Sequence, residues 1–465
     1  MVVNGDRPAN LFHEQLFRVS LASLPYLVYV SCFGLFVVLI HLLRRFKRLA
    51  LDSFTGLSLL VVSGLMVLSA VFAYDRGEAF LQLSNFLPFF LWFGTLPFLL
   101  RTIHHMEQVA IALVIATIPI NLISLGEYLL KAPWLPREIR RIPWIRWVRS
   151  APHKGRAMVM FDHPNAMASY LVLILGLGLG LILRQAVMRR QQDNPQQDKP
   201  QQDKSQKIQT VQGEFAEPLD GVATPQETSA DSQTDRGNRP GFLKLVERHQ
   251  VALIYAGTFL NLLGLFCSGS RNGLLVAATQ LVVFALLVKA NRTVLISAVV
   301  GLSGFLAGAL LLGIGGRSLS LAAWADDPRV GVWKIALDLI QERPWLGWGL
   351  GSYKLLYPPR LIDPEYPEIF HPHNFWLLLA VEVGIPVMIL MTVLVGSICY
   401  RAVLKLLTLP IDRGDRAIVL GYGFAFWGCI AFALFDVTLY DVRINALNWA
   451  LLAGLHAFSH RPIKV

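Results

Sequence analysis

The sequence predicts an all-α, polytopic membrane protein, a transmembrane helical bundle of about 11–12 spans. Of its residues 54% are hydrophobic and only 16% are charged, and apolar stretches near the ~20 residues needed to cross a bilayer recur along the chain. Helices are expected because each one satisfies its own backbone polar groups in lipid. The predicted spans are 23–43, 54–74, 79–100, 108–129, 165–184, 250–268, 273–290, 293–314, 374–399, 416–436 and 442–459.

Lysine and arginine residues collect in alternate short connections between these spans. They follow the first, fifth, seventh and ninth spans, for example as Arg44-Arg45, Arg189-Arg190 and Lys405. Because cytoplasmic loops carry the excess of basic residues, these connections are assigned to the cytoplasm. The chain is therefore predicted to cross a membrane many times, with long connections at 130–164 and 315–373 on the outer, periplasmic side.

This orientation divides the chain into five regions. A Gln-rich stretch cannot bury enough apolar surface to offset the entropy of ordering it, and it is predicted to be largely disordered. The residues from Leu11 to Leu21, which precede the first span, are typical of an interfacial helix. The regions are N-terminal helices with a basic periplasmic loop (1–184), the cytoplasmic loop (185–249), central helices (250–314), a periplasmic loop domain (315–373) and C-terminal helices (374–465).

The basic loop at 130–164 combines arginines with tryptophans, as in Arg137, Trp144 and Arg146. Amphipathic aromatic and basic residues together favour a helix lying at the lipid headgroups. Two interpretations remain open at this point. The loop is either an interfacial anchor without specificity or a surface that attracts anionic lipid or a lipid-linked phosphate.

Three short segments that are far apart in the chain fall on the predicted periplasmic side. They are Cys267–Gly273, Arg329–Trp333 and His371–Trp376. Guanidinium groups remain ionised and bind phosphate oxygens in pairs, whereas an imidazole titrates near neutral pH. Two arginines and a histidine at one face of a helical bundle indicate a site for a phosphate-bearing substrate.

Other interpretations of the same residues are weighed against this one. An arginine at a membrane interface, such as Arg271, is often only a snorkelling anchor. His371 and His373 resemble a pair of metal ligands, but no second cluster of His, Asp or Glu follows nearby, and no metal is predicted. Asp436, Asp441 and Arg443 are explained by an ion pair that closes the last loop.

Several motifs, taken together, resemble those of the O-antigen ligase and polymerase superfamily. They are Ser270-Arg271-Asn272-Gly273, Arg329 followed by Trp333, the Pro344–Gly349 turn, and His373-Asn374 followed by Glu382 and Gly384. Arg156 with Asp162-His163-Pro164-Asn165 resembles the Asn-Pro-Asn segment that precedes a span in that family. The chain departs from the family where the usual Ser-Arg-Gly is Ser-Arg-Asn, and where eleven spans are predicted instead of twelve.

The resemblance implies a glycosyltransferase of cyanobacterial type that needs no cofactor. It would lie in the bacterial cytoplasmic (inner) membrane, with its active site facing the periplasm. Its partners would be an undecaprenyl diphosphate-linked glycan donor, a lipid A-core or glycan acceptor, and membrane lipids, with no nucleic acid. Arginines would stabilise the departing diphosphate and a histidine would act as general base. The implied catalytic residues are His373, Arg271 and Arg329, and the implied substrate-binding residues are Arg156, Asn374, Glu382 and His371.

Two other functions remain open on the sequence. A polymerase of O-antigen or exopolysaccharide would share this chemistry and differ in its acceptor. Cyanobacterial chains of similar layout are described as inorganic-carbon transporters, so a transporter of a small anion such as bicarbonate is the alternative from another class. A transporter would be expected to carry repeats with broken helices at the midplane, and no such repeat is evident in the sequence.

Overall fold

The computed structural model describes residues 11–131, 135–150, 153, 155–193, 241–287, 328–360 and 369–460. These residues form an all-α bundle in which no strand occurs. The helices are α1 (Leu11–Ser23), α2 (Val28–Phe46), α3 (Ser53–Val71), α4 (Arg76–Gln82), α5 (Leu87–Thr95), α6 (Ile103–Lys131), α7 (Arg137–Arg140), α8 (Pro143–Ser150), α9 (Pro164–Asp193), α10 (Gly241–Ser268), α11 (Arg271–Leu287), α12 (Pro328–Glu342), α13 (Tyr353–Leu356), α14 (Phe375–Val383), α15 (Ile385–Thr408), α16 (Arg413–Ala433) and α17 (Val442–His460).

Eight helical segments of the described residues are long and apolar enough to cross a membrane. This finding confirms a multi-pass helical membrane protein. The predicted span at 293–314 lies outside the described residues, and α11 is shorter than the crossing length over its described part. The eight segments are Val28–Phe46, Ser53–Val71, Arg76–Phe98, Ile103–Lys131, Pro164–Gln191, His249–Ser268, Ile385–Thr408 and Arg413–Ala433.

Helix α9 lies at the centre of the bundle, and 94% of its most apolar stretch of 18 residues is buried inside the protein. It packs most extensively on α16 and also contacts α6, α10 and α11. Glycines allow the closest approach: a Cβ on Gly176 would collide with the backbone of Ala425, and one on Gly180 with Gly421. Small residues at such contacts let two helix backbones pack directly against each other in a membrane.

The span predicted at 374–399 is wrong in its extent, because the chain breaks there into two helices. The short helix α14 ends at Val383, Gly384 adopts a φ of 87°, and α15 then begins with Pro386 in its first turn. A Cβ on Gly384 would collide with the carbonyl group of Trp345. The break is therefore caused by a neighbouring loop that passes against the end of α14.

That loop, residues 344–352, is fastened to α14 through its backbone. The amides of Trp348 and Gly349 donate to the carbonyls of Val381 and Glu382, at 2.9 and 2.8 Å. Positive φ angles at Gly347, Gly349 and Gly351 make this path possible, since side chains rarely tolerate them. The loop holds α14, and the residues that lead into it, in a fixed position.

Helix α17 lies where a span was predicted at 442–459, but it is a buried, partly polar helix. It carries Arg443, Asn445, Asn448 and His456 in its interior, each less than a tenth exposed. Helices α9 and α10 also extend past their predicted ends, to Asp193 and from Gly241. The first Gln-rich repeat begins within α9, and residues 194–240, which hold the rest of the repeats, lie outside the described residues.

A candidate active-site cavity

The candidate site begins at the turn that leads into α14. Asn374 caps this helix by accepting a hydrogen bond from the Leu377 amide at 3.0 Å, and its Nδ2 donates to the Leu434 carbonyl at 3.1 Å. The preceding residue, His373, has a φ of 50°. Residues other than glycine avoid this left-handed region, and such strain is often found at functional sites. The cap and the strained residue together fix where the His373 imidazole lies.

The His373 side chain is paired with Asp436, which follows the end of α16. The distance from His373 Nδ1 to Asp436 Oδ1 is 3.3 Å. Asp436 is only 5% exposed and also accepts from Asn165 Nδ2 at 2.6 Å and from the Val437 amide at 2.8 Å. A carboxylate only accepts, so Nδ1 of His373 carries the proton and Nε2 keeps the lone pair. This is the tautomer that a general base requires.

Asp436 remains a carboxylate although it is buried. Burial by itself would raise the pKa of this group, but hydrogen bonds from His373 and Asn165 hold its pKa well below the usual range. The sequence interpretation of Asp436 as part of a closing ion pair is wrong. Arg443 pairs with Asp441 instead, at 2.6 Å, and its guanidinium stacks on the Phe161 ring.

Arg156 extends the same polar network on the opposite side of Asn165. Its Nη2 donates to Asn165 Oδ1 and its Nε donates to the Ser268 carbonyl, both at 2.8 Å. Gly269, with a φ of 58°, allows the arginine to lie close, because a Cβ there would be 3.1 Å from Arg156 Cγ. Arg156, Asn165, Asp436 and His373 thus form a continuous chain of contacts between three distant parts of the sequence.

A buried ion pair on α6 contacts the backbone of the segment that carries Arg156. Lys131 and Glu127 are 2.6 Å apart, and Lys131 Nζ donates to the carbonyl of Arg156 at 2.9 Å. Glu127 Oε2 accepts from the amides of Met158 and Val159, at 3.0 and 2.8 Å. These contacts position the backbone of the arginine without engaging its guanidinium.

A cavity of about 410 Å³ opens beside this network. His163 and His371 stand in its wall, and burial lowers the pKa of each to about 4. Both are therefore neutral at pH 7. His163 Nδ1 accepts from the Asn165 amide at 3.0 Å, and His371 Nδ1 accepts from the His373 amide at 3.3 Å. The lining residues are Asp162, His163, Asn165, Ala166, Ile369, Phe370, His371, His373, Asp436, Val437, Thr438, Tyr440 and Asp441.

The two other predicted arginines lie in the first turns of α11 and α12. Arg271 is half-buried at the start of α11, three residues after the Ser268 carbonyl that binds Arg156. Arg329 lies in the first turn of α12, one helical turn before Trp333. Trp333 Nε1 donates to the Pro372 carbonyl at 2.8 Å, which brings α12 beside the His371–His373 turn.

Glu382 has a different environment from the one that the motif suggests. It is 2% exposed, and the cavity wall contains Tyr440 in its place. Its Oε2 accepts from the Tyr440 hydroxyl at 3.0 Å, and its Oε1 accepts from the Tyr353 amide at 3.4 Å. The contacts of Glu382 thus join the 344–353 segment to the cavity wall.

The histidine pair has a third possible metal ligand that the sequence did not reveal. His371, His373 and Asp436 each offer one ligand atom, and these atoms lie within 4.8 Å of one another. The pairing of Asp436 with His373 was missed because the two residues are 63 positions apart in the chain. The available signal was an acidic residue at the end of the predicted span 416–436, because a carboxylate inside a membrane is costly and often functional.

The fold and cavity define a class of protein: a multi-pass α-helical membrane protein in which a histidine–carboxylate pair is linked to an arginine beside a cavity. The family model described as O-antigen ligase matches residues 256–392. This match supports membership of the chain in the O-antigen ligase and polymerase superfamily. No curated protein sequence matches the chain. Arg156 and Asp436 lie outside the matched residues, so their place in the site rests on geometry.

Proposed function

We propose that this protein is an O-antigen ligase-like glycosyltransferase of the bacterial inner membrane. It transfers a glycan from an undecaprenyl diphosphate carrier to a lipid A-core or glycan acceptor, at a site that faces the periplasm. The observation that carries the proposal is the continuous network that joins His373, Asp436, Asn165 and Arg156 beside the cavity. The family match supports the reaction class.

In this reaction His373 is the general base. Its Nε2 accepts the proton of an acceptor hydroxyl as that oxygen attacks the anomeric carbon of the donor glycan. The bond from that carbon to the diphosphate breaks, and the diphosphate leaves with the bonding electrons. Asp436 holds the imidazole in the productive tautomer and stabilises the positive charge that His373 gains, as a buried carboxylate does in hydrolytic triads.

The arginines act on the leaving group. Charge builds on the diphosphate oxygens as the glycosidic bond breaks, and guanidinium groups bind such oxygens through paired hydrogen bonds. The guanidinium of Arg156 is held in place by its hydrogen bonds to the Ser268 carbonyl and to Asn165 Oδ1. Arg271 and Arg329 complete the set of arginines in the proposal, and no step requires a metal ion.

The proposal is tested with purified protein, a lipid-linked glycan donor and an acceptor, in buffer containing EDTA. His373→Ala should lower the transfer rate by about 10²- to 10⁴-fold, since a positioned general base contributes that much. His371→Asn is the matched control, because an amide oxygen can still accept from the His373 amide, and it should retain most activity. Near-normal transfer by His373→Ala would remove the proposed base.

The same assay separates the alternative functions. Wild-type protein that transfers no glycan but takes up a small anion in liposomes would be a transporter. A deletion strain distinguishes the acceptors: loss of long chains from the lipid A core indicates a ligase, whereas single repeat units left on the core indicate a polymerase.

The periplasmic orientation is tested with reporter fusions. A periplasmic reporter fused after Pro152 or Pro358 should be active, and one fused after Gln202 should not. The reason is the lysine and arginine asymmetry of the short loops. An active cytoplasmic reporter at Pro358 would reverse the orientation and place the cavity on the other side.

A further inference from the structure

A second cluster of titratable side chains lies at the opposite end of the bundle. It consists of Asp52, which caps the start of α3, and of His456 and His460 in the last turns of α17. Asp441, at the other end of α17, lines the cavity described above. A helix of 19 residues separates the two ends by about 28 Å, so this cluster takes no part in the proposed transfer.

The partners of the two histidines fix which nitrogen carries the proton. His456 Nε2 contacts the Ala50 carbonyl at 3.3 Å, and His460 Nδ1 contacts the His456 carbonyl at 3.0 Å. A carbonyl only accepts, so these nitrogens are the protonated ones. The lone pairs lie on His456 Nδ1 and His460 Nε2. Histidines that bind metals usually donate their other ring N–H to a carbonyl or carboxylate in this way.

Two acceptor atoms of the cluster, His456 Nδ1 and Asp52 Oδ1, lack donors among the described residues. His456 is 1% exposed and its Nδ1 has no hydrogen-bond partner among the described residues. Asp52 Oδ1 is likewise buried without a partner, whereas Oδ2 accepts from Arg401 at 3.1 Å and from the Thr55 amide at 3.4 Å. Burial would raise the pKa of Asp52, but the bonds from Thr55 and Arg401 lower it to about 2. The carboxylate is therefore ionised at neutral pH.

Asp52 Oδ1 and His460 Nε2 face each other at 3.5 Å. A proton on His460 Nε2 would relieve the repulsion between two acceptors. Arg401 Nη1, however, lies 3.2 Å from the same nitrogen, and a guanidinium can only donate. The His460 nitrogen therefore accepts from Arg401, which also donates to Asp52 Oδ2 at 3.1 Å, and Asp52 Oδ1 is left facing a lone pair without a donor of its own. A metal ion can bind that oxygen and the two imidazole nitrogens together.

The spacing agrees with a tetrahedral metal ion. Two ligands held at about 2.0–2.2 Å from zinc in tetrahedral geometry lie about 3.4 Å apart, close to the observed 3.5 Å. The three side chains each bring a ligand atom within 4.8 Å of the others. The longer separations must therefore shorten, by at most about 1.4 Å, when an ion binds. His460 can move because it lies at the helix end with 36% of its side chain exposed.

We propose that Asp52, His456 and His460 form a site for a divalent transition metal ion, with zinc as the best match and water as the fourth ligand. Two imidazoles and one carboxylate are a ligand set that suits zinc. Arg401 supports Asp52 from its other oxygen, as a carboxylate ligand requires, and gives up its contact with His460. The bound ion ties the start of α3 to the end of α17.

The test uses full-length protein stripped with EDTA and then titrated with Zn²⁺. Wild type should bind one ion per chain, and its melting temperature should rise by about 3 °C or more as the ion stabilises the folded state. Asp52→Asn, which keeps a good helix cap, and His460→Ala should each abolish the rise. Co²⁺ in place of zinc should give wild type the intense visible absorption of a four-coordinate ion.

His371→Asn is the matched control, because it alters the other cluster that offers three ligands. It should keep the zinc-dependent rise. The proposal is overturned if wild type binds no ion, if the rise persists in Asp52→Asn and His460→Ala, or if the rise is lost only in His371→Asn. The last result would place the ion in the cavity. None of these outcomes depends on glycan transfer.

Discussion

Asp436→Asn is the substitution that probes the candidate site most sharply. It puts an isosteric amide where three donors converge: His373 Nδ1, Asn165 Nδ2 and the Val437 amide. An amide has one oxygen and one NH₂ group, so one of its ends must face a donor. The shape of the site is kept while its hydrogen bonding is made inconsistent.

Neither orientation of the new amide is satisfactory. With NH₂ in place of Oδ2 it faces Asn165 Nδ2, and Asn165 cannot turn because its oxygen is bound to Arg156. With NH₂ in place of Oδ1 it faces the Val437 amide and forces His373 Nδ1 to accept. The proton then moves to Nε2, and the base is lost.

The expected loss follows from the role of the base. Removing a positioned general base costs about 10²- to 10⁴-fold in rate, which corresponds to roughly 3–5 kcal/mol of activation free energy. The donor left without an acceptor should also lower the free energy of unfolding by about 1–3 kcal/mol. Initial rates of glycan transfer to the acceptor, with thermal melting measured alongside, separate the two effects.

Asp162→Asn is the control for Asp436→Asn. The Asp162 carboxylate lines the same cavity, but its side chain is fully exposed. Removing this charge should change the rate by less than about threefold, since solvent screens exposed charges. If Asp436→Asn transfers glycan within threefold of wild type, the histidine–carboxylate pair is not the catalytic base system.

Arg271→Lys and Arg329→Lys keep the positive charge but lose the planar guanidinium, so each should lower the rate of glycan transfer at least about tenfold while membrane insertion stays normal. Arg146→Ala is the control and should have little effect on the rate. Equal, mild losses at all three positions would mean that these arginines are membrane anchors. Acidification from about pH 6.5 to 4 should lower the melting temperature. The reason is that the unfolded chain takes up protons near pH 6.5, whereas burial holds the pKa of His163 and His371 at about 4 in the folded chain. The His163→Asn/His371→Asn double variant should show a flatter melting profile over this range, and an unchanged profile would contradict the assignment.

The sequence predicts the class of fold because lipid imposes strong rules on composition. Apolar length located most of the spans, and the motif around His373 identified a residue that does line the cavity. The break at Gly384 was missed because hydropathy runs through it without interruption. A signal was present, since Gly384 followed by Pro386 is the pattern of one helix ending and another beginning.

The partners of the site residues were beyond sequence reasoning. Asp436 reaches His373 across 63 residues and Asn165 across 271. Such pairs form only when helices pack, and the packing of α9 on α16 depends on where glycines meet, not on any local pattern. The cluster of Asp52, His456 and His460 was not predicted for the same reason, because Asp52 and the two histidines lie near opposite ends of the chain.

The glycine contact between α9 and α16 has a consequence for genetics. Asn165 is at the start of α9, and Asp436 follows the end of α16. The packing of these two helices therefore sets the 2.6 Å distance between the two side chains. Gly180 is 15 residues from Asn165, about 22 Å along the helix. A bulky residue at Gly180 would push α9 and α16 apart and change the distance between Asn165 and Asp436. Inactive alleles are thus expected deep in the membrane, at positions that no substrate touches, and compensating alleles on the facing helix near Gly421.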